Sequence, residues 1–143
     1  MSGPAIAFDH VHLISEEPHA AAAWYQDMLG GEIAASYETR GAVQIRVTFG
    51  AVTILIRGRR PGETPGPKTE LQTFNDYVSH DQWGTDHFGF SVAGDLRQLC
   101  TDLKAKGAEL AVEPYEFLPG RTIAYLKAPD GVTVELTEAA VDA

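Results

Sequence analysis

The feature that most constrains this chain is a repeat. Phe8 to Ser15 reads F-D-H-V-H-L-I-S, and Thr85 to Val92 reads T-D-H-F-G-F-S-V; their histidines, His10 and His87, stand 77 positions apart. Each Asp-His opens a run of alternating residues, the periodicity of a half-buried strand. The likeness continues beyond the strands. A helical pattern follows each, a glycine ends each pattern (Gly30, Gly107), and Glu32-Ile33 is echoed by Glu109-Leu110 at the same offset. Internal repetition of this kind indicates one supersecondary unit used twice.

Taken in order, residues 6–14 read as a strand with Val11 and Leu13 on one face and His10, His12 and Ile14 on the other. Glu16-Glu17-Pro18 suits the first turn of a helix. Ala21, Trp24, Tyr25, Met28 and Leu29 give that helix one apolar face, and Gly30-Gly31 stops it. Strands are expected at about 32–39, 42–49 and 51–57, with a turn at Phe49-Gly50-Ala51. Residues 58–70 are dense in proline, glycine and charge and read as a linker. Leu71 to Trp83, with Phe74 and Tyr77, reads as a short cover segment. The second half predicts a strand over 86–92, a helix capped by Asp95 and strands at about 109–114, 120–127 and 131–137. The expected fold is α+β, two tandem βαβββ modules forming an open-sided curved sheet around a cavity. The expected organisation is one domain over 1–143, with module one at about 6–58, linker and cover segment at about 59–84, and module two at about 85–138.

Composition narrows the partners. Twenty acids against 11 bases give a net charge of −9, which argues against nucleic acid and anionic membrane surfaces. No run reaches the roughly 18 apolar residues of a membrane span. The N-terminus lacks the charged and apolar regions of a signal peptide. A cytoplasmic protein is expected. The single cysteine, Cys100, falls in an amphipathic pattern and reads as a small buried apolar group.

Alternation also selects candidate ligands. If Phe88 and Phe90 face the second helix, His87 and Gly89 face the cavity. If Val132, Val134 and Leu136 are the apolar side of the last strand, Thr133 and Glu135 point the other way. A carboxylate within a buried strand is costly unless paired or bound to a cation. His10, His87 and Glu135 make an N/O set suited to one divalent Fe, Mn, Ni, Co or Zn ion, with coordination positions left for water and substrate.

Five motifs, D-H-V-H-L at 9–13, W-Y-Q-D-M-L-G-G at 24–31, D-H-F-G-F-S-V at 86–92, K-A-K-G-A-E-L at 104–110 and Y-L-K-A-P-D-G-V-T-V-E-L at 125–136, together resemble the vicinal oxygen chelate superfamily. This is the glyoxalase, bleomycin-resistance and extradiol-dioxygenase superfamily. The resemblance implies that His10, His87 and Glu135 are the metal ligands, and leaves His12 as a substrate-contacting residue, a base or an alternative ligand. It also implies that a fourth ligand position, on the last strand of module one, has been lost. Aligning Gly50 with Gly131 puts Ile54 opposite Glu135, and shifting by one gives Thr53 or Leu55; none is a ligand.

What the resemblance implies about activity branches. One branch is a glyoxalase-like lyase or isomerase acting on a small substrate that chelates the metal through vicinal oxygens. There His12 is the base, with Gln44 and Arg46 toward the substrate. A second is an Fe(II) ring-cleaving dioxygenase, in which Tyr125 matches a substrate-contacting tyrosine, although residues 111 to 124 lack the accompanying histidine. A fosfomycin-resistance activity would use Arg46 and Arg121 around a phosphonate. A metal-free, drug-sequestering protein would use Phe74, Tyr77, Trp83 and Tyr115 as a groove. A homodimer is expected, because open sheets leave edges that pairing covers.

Overall fold

The structure, a computed structural model, describes residues 3–67 and 83–139. The chain divides into two compact units, Met1–Gly66 and Pro67–Ala143. The expected cover segment, apart from Trp83, lies outside the described residues.

In the first unit, strand β1 (Val11–Ile14) leads to helix α1 (Pro18–Leu29), then to β2 (Glu32–Thr39), β3 (Ala42–Phe49) and β4 (Val52–Arg57). The sheet runs β1-β4-β3-β2, with β1 parallel to β4 and the other pairs antiparallel. Proline occupies the first turn of α1, where its missing N–H costs nothing. Gly30 closes the helix at φ 74°, a conformation that suits glycine. Its N–H reaches the Gln26 carbonyl, and that of Gly31 reaches Tyr25. The helix packs on β3 and β4. The face predicted from periodicity is borne out at Ala21 and Tyr25, which are buried with Ala22; Trp24, Met28 and Leu29 are half-buried. Ile45, Val47, Ile54 and Ile56 form the buried side of the sheet, each contributing about 1.5–3 kcal/mol by leaving water.

The second unit repeats the plan. Strand β5 (Phe88–Val92) precedes α2 (Leu96–Ala105), β6 (Glu109–Leu118), β7 (Arg121–Lys127) and β8 (Thr133–Glu138), in the order β5-β8-β7-β6. The Asp95 carboxylate accepts the Gln98 N–H at 3.1 Å, so the expected cap is present. Leu96, Cys100 and Leu103 are buried on α2, which packs on β6, β7 and β8. Burial also raises the Cys100 thiol pKa, as suits an inert core residue.

Three expectations change. The opening strand is shorter than 6–14, because pairing begins only at Val11 opposite Ile54. Ile6 and Phe8, which alternate correctly, are exposed. Likewise β5 begins at Phe88, so His10 and His87 each sit just before their strand. At the other end β6 continues past 114 to Leu118, through register shifts that let Pro114 lie within it.

Candidate metal-binding site

The pleat gives each sheet a face turned from its helix, and the register shows what shares it. In the second unit Gly89 pairs with Glu135, Glu135 with Tyr125, and Tyr125 with Val112. These four form one row across the sheet. In the first unit the corresponding row is His12, Leu55, Arg46 and Ala35. The counterpart of Glu135 is therefore Leu55. Ile54 pairs with Val11, on the helix side. The alignment of Gly50 with Gly131 misses by one residue because the connections differ. A 3-10 turn at Pro129–Gly131 precedes β8, whereas Gly50 and Ala51 alone precede β4.

His87 is held at both ring nitrogens. Nδ1 lies 2.6 Å from Oδ2 of Asp86, and Nε2 lies 3.0 Å from Oε2 of Glu135. A carboxylate only accepts, so the Nδ1 proton belongs to the Asp86 contact and Nε2 is turned to Glu135. Nitrogen lone pair and carboxylate oxygen do not rest 3.0 Å apart without positive charge. A second ring proton supplies it, and so does a cation that takes both atoms as ligands. Gly89 makes room for this arrangement. A Cβ there would stand 3.2 Å from both Cβ and the carbonyl oxygen of Glu135 and 3.6 Å from its Oε2. The Tyr125 ring meets His87 edge to face, with centroids 5.0 Å apart. Beyond it Val112, Ile123, Ala111 and Tyr115 make an apolar cluster.

His10 in the first unit has the same construction, with Nδ1 2.6 Å from Oδ2 of Asp9. The contact lowers the Asp9 pKa, first by the hydrogen bond and then by the charge of His10. Its ring lies 5.9 Å from that of His12. Burial, then the charges of Arg57, His10 and Arg60, hold His12 below the ordinary histidine range, so its neutral form is favoured near neutral pH. Gln44 donates to the Tyr37 hydroxyl at 3.1 Å. Arg46 stands one strand beyond Leu55 in the His12 row.

The second unit thus brings His87, Glu135 and Tyr125 together. Arg121 is on the Tyr125 face by alternation but roughly 13 Å along the strand. Its guanidinium donates to the Glu138 carbonyl at 3.3 Å and stacks over Phe117. Among the described residues, no three His, Cys, Asp or Glu gather into a cluster that would hold a metal ion. Of the aromatic residues expected to form a groove, Phe74 and Tyr77 lie outside the described residues, Trp83 is fully exposed, and Tyr115 packs on the apolar cluster. Sequence reading put Gly89 on the cavity side and noted the repeated Asp-His, but missed that Asp9 and Asp86 bond the histidine rings and that Gly89 makes room for Glu135.

The fold is that of tandem βαβββ modules with open mixed sheets. The chain belongs to the Glyoxalase/Bleomycin resistance protein/Dioxygenase superfamily, whose profile matches residues 7–136. Solved structures agree in fold. A glyoxalase family protein from Bacillus cereus is 16% identical, with 95% of each chain covered and a TM-score of 0.76. A lactoylglutathione lyase from Agrobacterium tumefaciens is 21% identical over 96% of each chain, at a TM-score of 0.63. The fosfomycin-resistance protein FosX from Listeria monocytogenes, complexed with Mn(II) and sulfate, is 17% identical; 99% of this chain and 95% of that one are covered, at a TM-score of 0.62. Comparison with curated proteins returns no significant match.

Proposed function

We propose that this protein is a divalent-metal-dependent lyase or isomerase of glyoxalase type, acting on a small substrate with vicinal oxygens. The observation that carries the reading is the His87–Glu135 contact with Asp86 behind the ring. The Nε2–Oε2 separation is 3.0 Å, so an imidazole nitrogen and a carboxylate oxygen stand side by side where they would hold a divalent ion. A carboxylate on the far nitrogen is the usual support of a metal-binding histidine, fixing its tautomer and raising its basicity. His10 with Asp9 has the same build and is the candidate for the third ligand. The donor set fits Fe, Mn, Ni, Co or Zn.

When bound, such an ion supplies Lewis-acid stabilisation of negative charge developing on the substrate oxygens. The remaining roles belong to the chain. Glu135 and His87 fix the position of that charge. The neutral imidazole favoured at His12 suits it to accept a proton from a substrate carbon. Gln44 and Arg46 share its sheet face and orient the substrate's polar groups. Arg121, bound to the Glu138 carbonyl, serves more remotely. A homodimer belongs to this reading.

A second reading, a ring-cleaving Fe(II) dioxygenase, is favoured by Tyr125, whose ring touches His87 and whose strand position is beside Glu135. One experiment separates the two. Protein purified without chelator is analysed for metal, then assayed for oxygen uptake with catechols. Nickel, zinc, cobalt or manganese without uptake supports the lyase or isomerase; iron with uptake supports the dioxygenase. Absence of stoichiometric metal, together with no binding of added Mn(II) or Ni(II), overturns both.

A further inference from the structure

The stretch R-G-R-R-P-G-E-T, Arg57 to Thr64, puts three of the chain's 11 basic residues into four positions of a chain with net charge −9. Its composition suggests a linker, but it is built into the first unit. Glu63 N–H donates to the Arg60 carbonyl at 3.1 Å, Pro61 and Gly62 lie between, and Gly62 has φ 86°. This is a type II turn. The Glu63 carboxylate then locks it. Oε1 accepts from Arg57 Nη1 at 2.8 Å and from the Arg60 N–H at 2.8 Å, and Oε2 accepts from Arg57 Nη2 at 3.4 Å. The turn rests on the β2–β3 hairpin: a Cβ on Gly41 would fall 2.9 Å from Pro61 Cδ, and Gly41 itself has φ 83°.

This construction leaves positive charge over. Arg57 and Glu63 cancel one another as an ion pair. Among the described residues, the guanidiniums of Arg59 and Arg60 form no ion pair, although the Arg60 backbone N–H is bound by Glu63. Arg60 Nε is also buried, with no acceptor among the described residues, as are Arg57 Nε and, in the second unit, Arg121 Nε. A buried donor without an acceptor is rare and calls for an explanation. Arg59 and Arg60 line an open depression of about 440 Å³, with Gly41, Gly62 and Thr64 around it. The turn backbone that carries both arginines is held by the Arg60–Glu63 hydrogen bonds, which lowers the entropic cost of binding.

We infer that this depression is an oxyanion site. It takes a carboxylate or phosphate group of a small molecule between the guanidiniums of Arg59 and Arg60, with the Thr64 hydroxyl as a further donor. Glu63 lines the same space but does not repel the ligand strongly, because Arg57 neutralises it. The inference needs no bound metal, and metal-free protein suffices to test it.

The test is isothermal titration of the full chain, in EDTA and at low ionic strength, with inorganic phosphate and separately with succinate. Saturable binding of one equivalent is expected, and the tighter of the two probes identifies the oxyanion class. Arg59→Met and Arg60→Met each weaken it about tenfold or more, as expected for loss of charge-assisted hydrogen bonds, while Lys104→Met, on an exposed pair in the second unit, changes nothing. Arg60→Lys, which keeps the charge but lacks Nε, also falls about tenfold. If Arg60→Met does not fold, Arg60→Lys and Arg59→Met carry the same decision. Failure of both probes to saturate the wild type, or wild-type affinity in Arg59→Met and Arg60→Lys, overturns the inference.

Discussion

Replacing Asp86 by asparagine tests the proposed metal site where its geometry is most specific. The substitution keeps the shape of the side chain and removes its charge. Asparagine presents either an acceptor or a donor to Nδ1. In the second orientation the ring proton moves to Nε2, and the nitrogen aimed at Glu135 ceases to be a ligand. Removing such a support costs about 10- to 100-fold in metal affinity, or about 1.4–2.7 kcal/mol. The loss expected here lies within that range. The Asp86 and His87 side chains are 27% and 21% exposed, so water screens the contact only in part. Asp9, 87% exposed beside His10, is screened far more. Asp86→Asn is therefore expected to weaken Mn(II) binding more than Asp9→Asn does. Titration calorimetry with Mn(II) measures both, with thermal melting as a check on folding. An Asp86→Asn protein that binds within twofold of wild type, while His87→Ala abolishes binding, refutes the support. A larger loss in Asp9→Asn than in Asp86→Asn refutes the reasoning from burial.

Other expectations rest on separate contacts. Glu135→Gln should weaken metal binding far more than Glu138→Gln, since Glu138 Oε1 is already engaged by the Thr122 N–H at 2.6 Å; equal effects in the same titration would move the ligand elsewhere. The Glu63 pKa is brought down from 4.5 to about 2, chiefly by its hydrogen bonds with Arg57 and then Arg60. With the folded value below the unfolded one, its stabilisation is present above about pH 4.5 and is lost as pH falls toward 2. Glu63→Gln should flatten that part of the denaturation profile, and an unchanged profile would deny the clasp. Asp95→Ala should cost about 1 kcal/mol in urea unfolding, and Leu103→Ala, in the core, about 2–5 kcal/mol; the reverse order would contradict the packing of α2.

Much of the fold was legible because its signals are local. The bounds 32–39 and 42–49 follow from β-rich runs broken at Arg40-Gly41, and both residues take positive φ. Asp95 and Gly30 announce their helix ends by side-chain chemistry alone. What alternation does not contain is the partner. It assigns Ile6 and Phe8 to a strand, yet among the described residues no strand pairs with them, and pairing rather than pattern sets where β1 begins. The counterpart of Glu135 stayed open among Thr53, Ile54 and Leu55 for a related reason, and the register selects Leu55. Parallel register between β1 and β4 is fixed by the whole crossover, whereas a glycine in a turn marks only where that turn lies. The candidate site was legible as residue types. His87 and Glu135 do meet, but Asp86 and Gly89, which orient one and make room for the other, became visible only with the register. Arg57 to Glu63 was hidden by composition, since proline, glycine and charge describe a clamped turn as well as a linker.

The two matching rows carry an evolutionary consequence. In one, a carboxylate at 135 lies opposite a residue with no side chain; in the other, Leu55 lies opposite the imidazole of His12. Glutamate at 55 alone would meet that imidazole, and a side chain at 89 alone would crowd the carboxylate. A side chain at 89 therefore requires that the residue at 135 change with it. Once the halves of an ancestral duplication had diverged in this way, that coupling would hold the carboxylate in one of them.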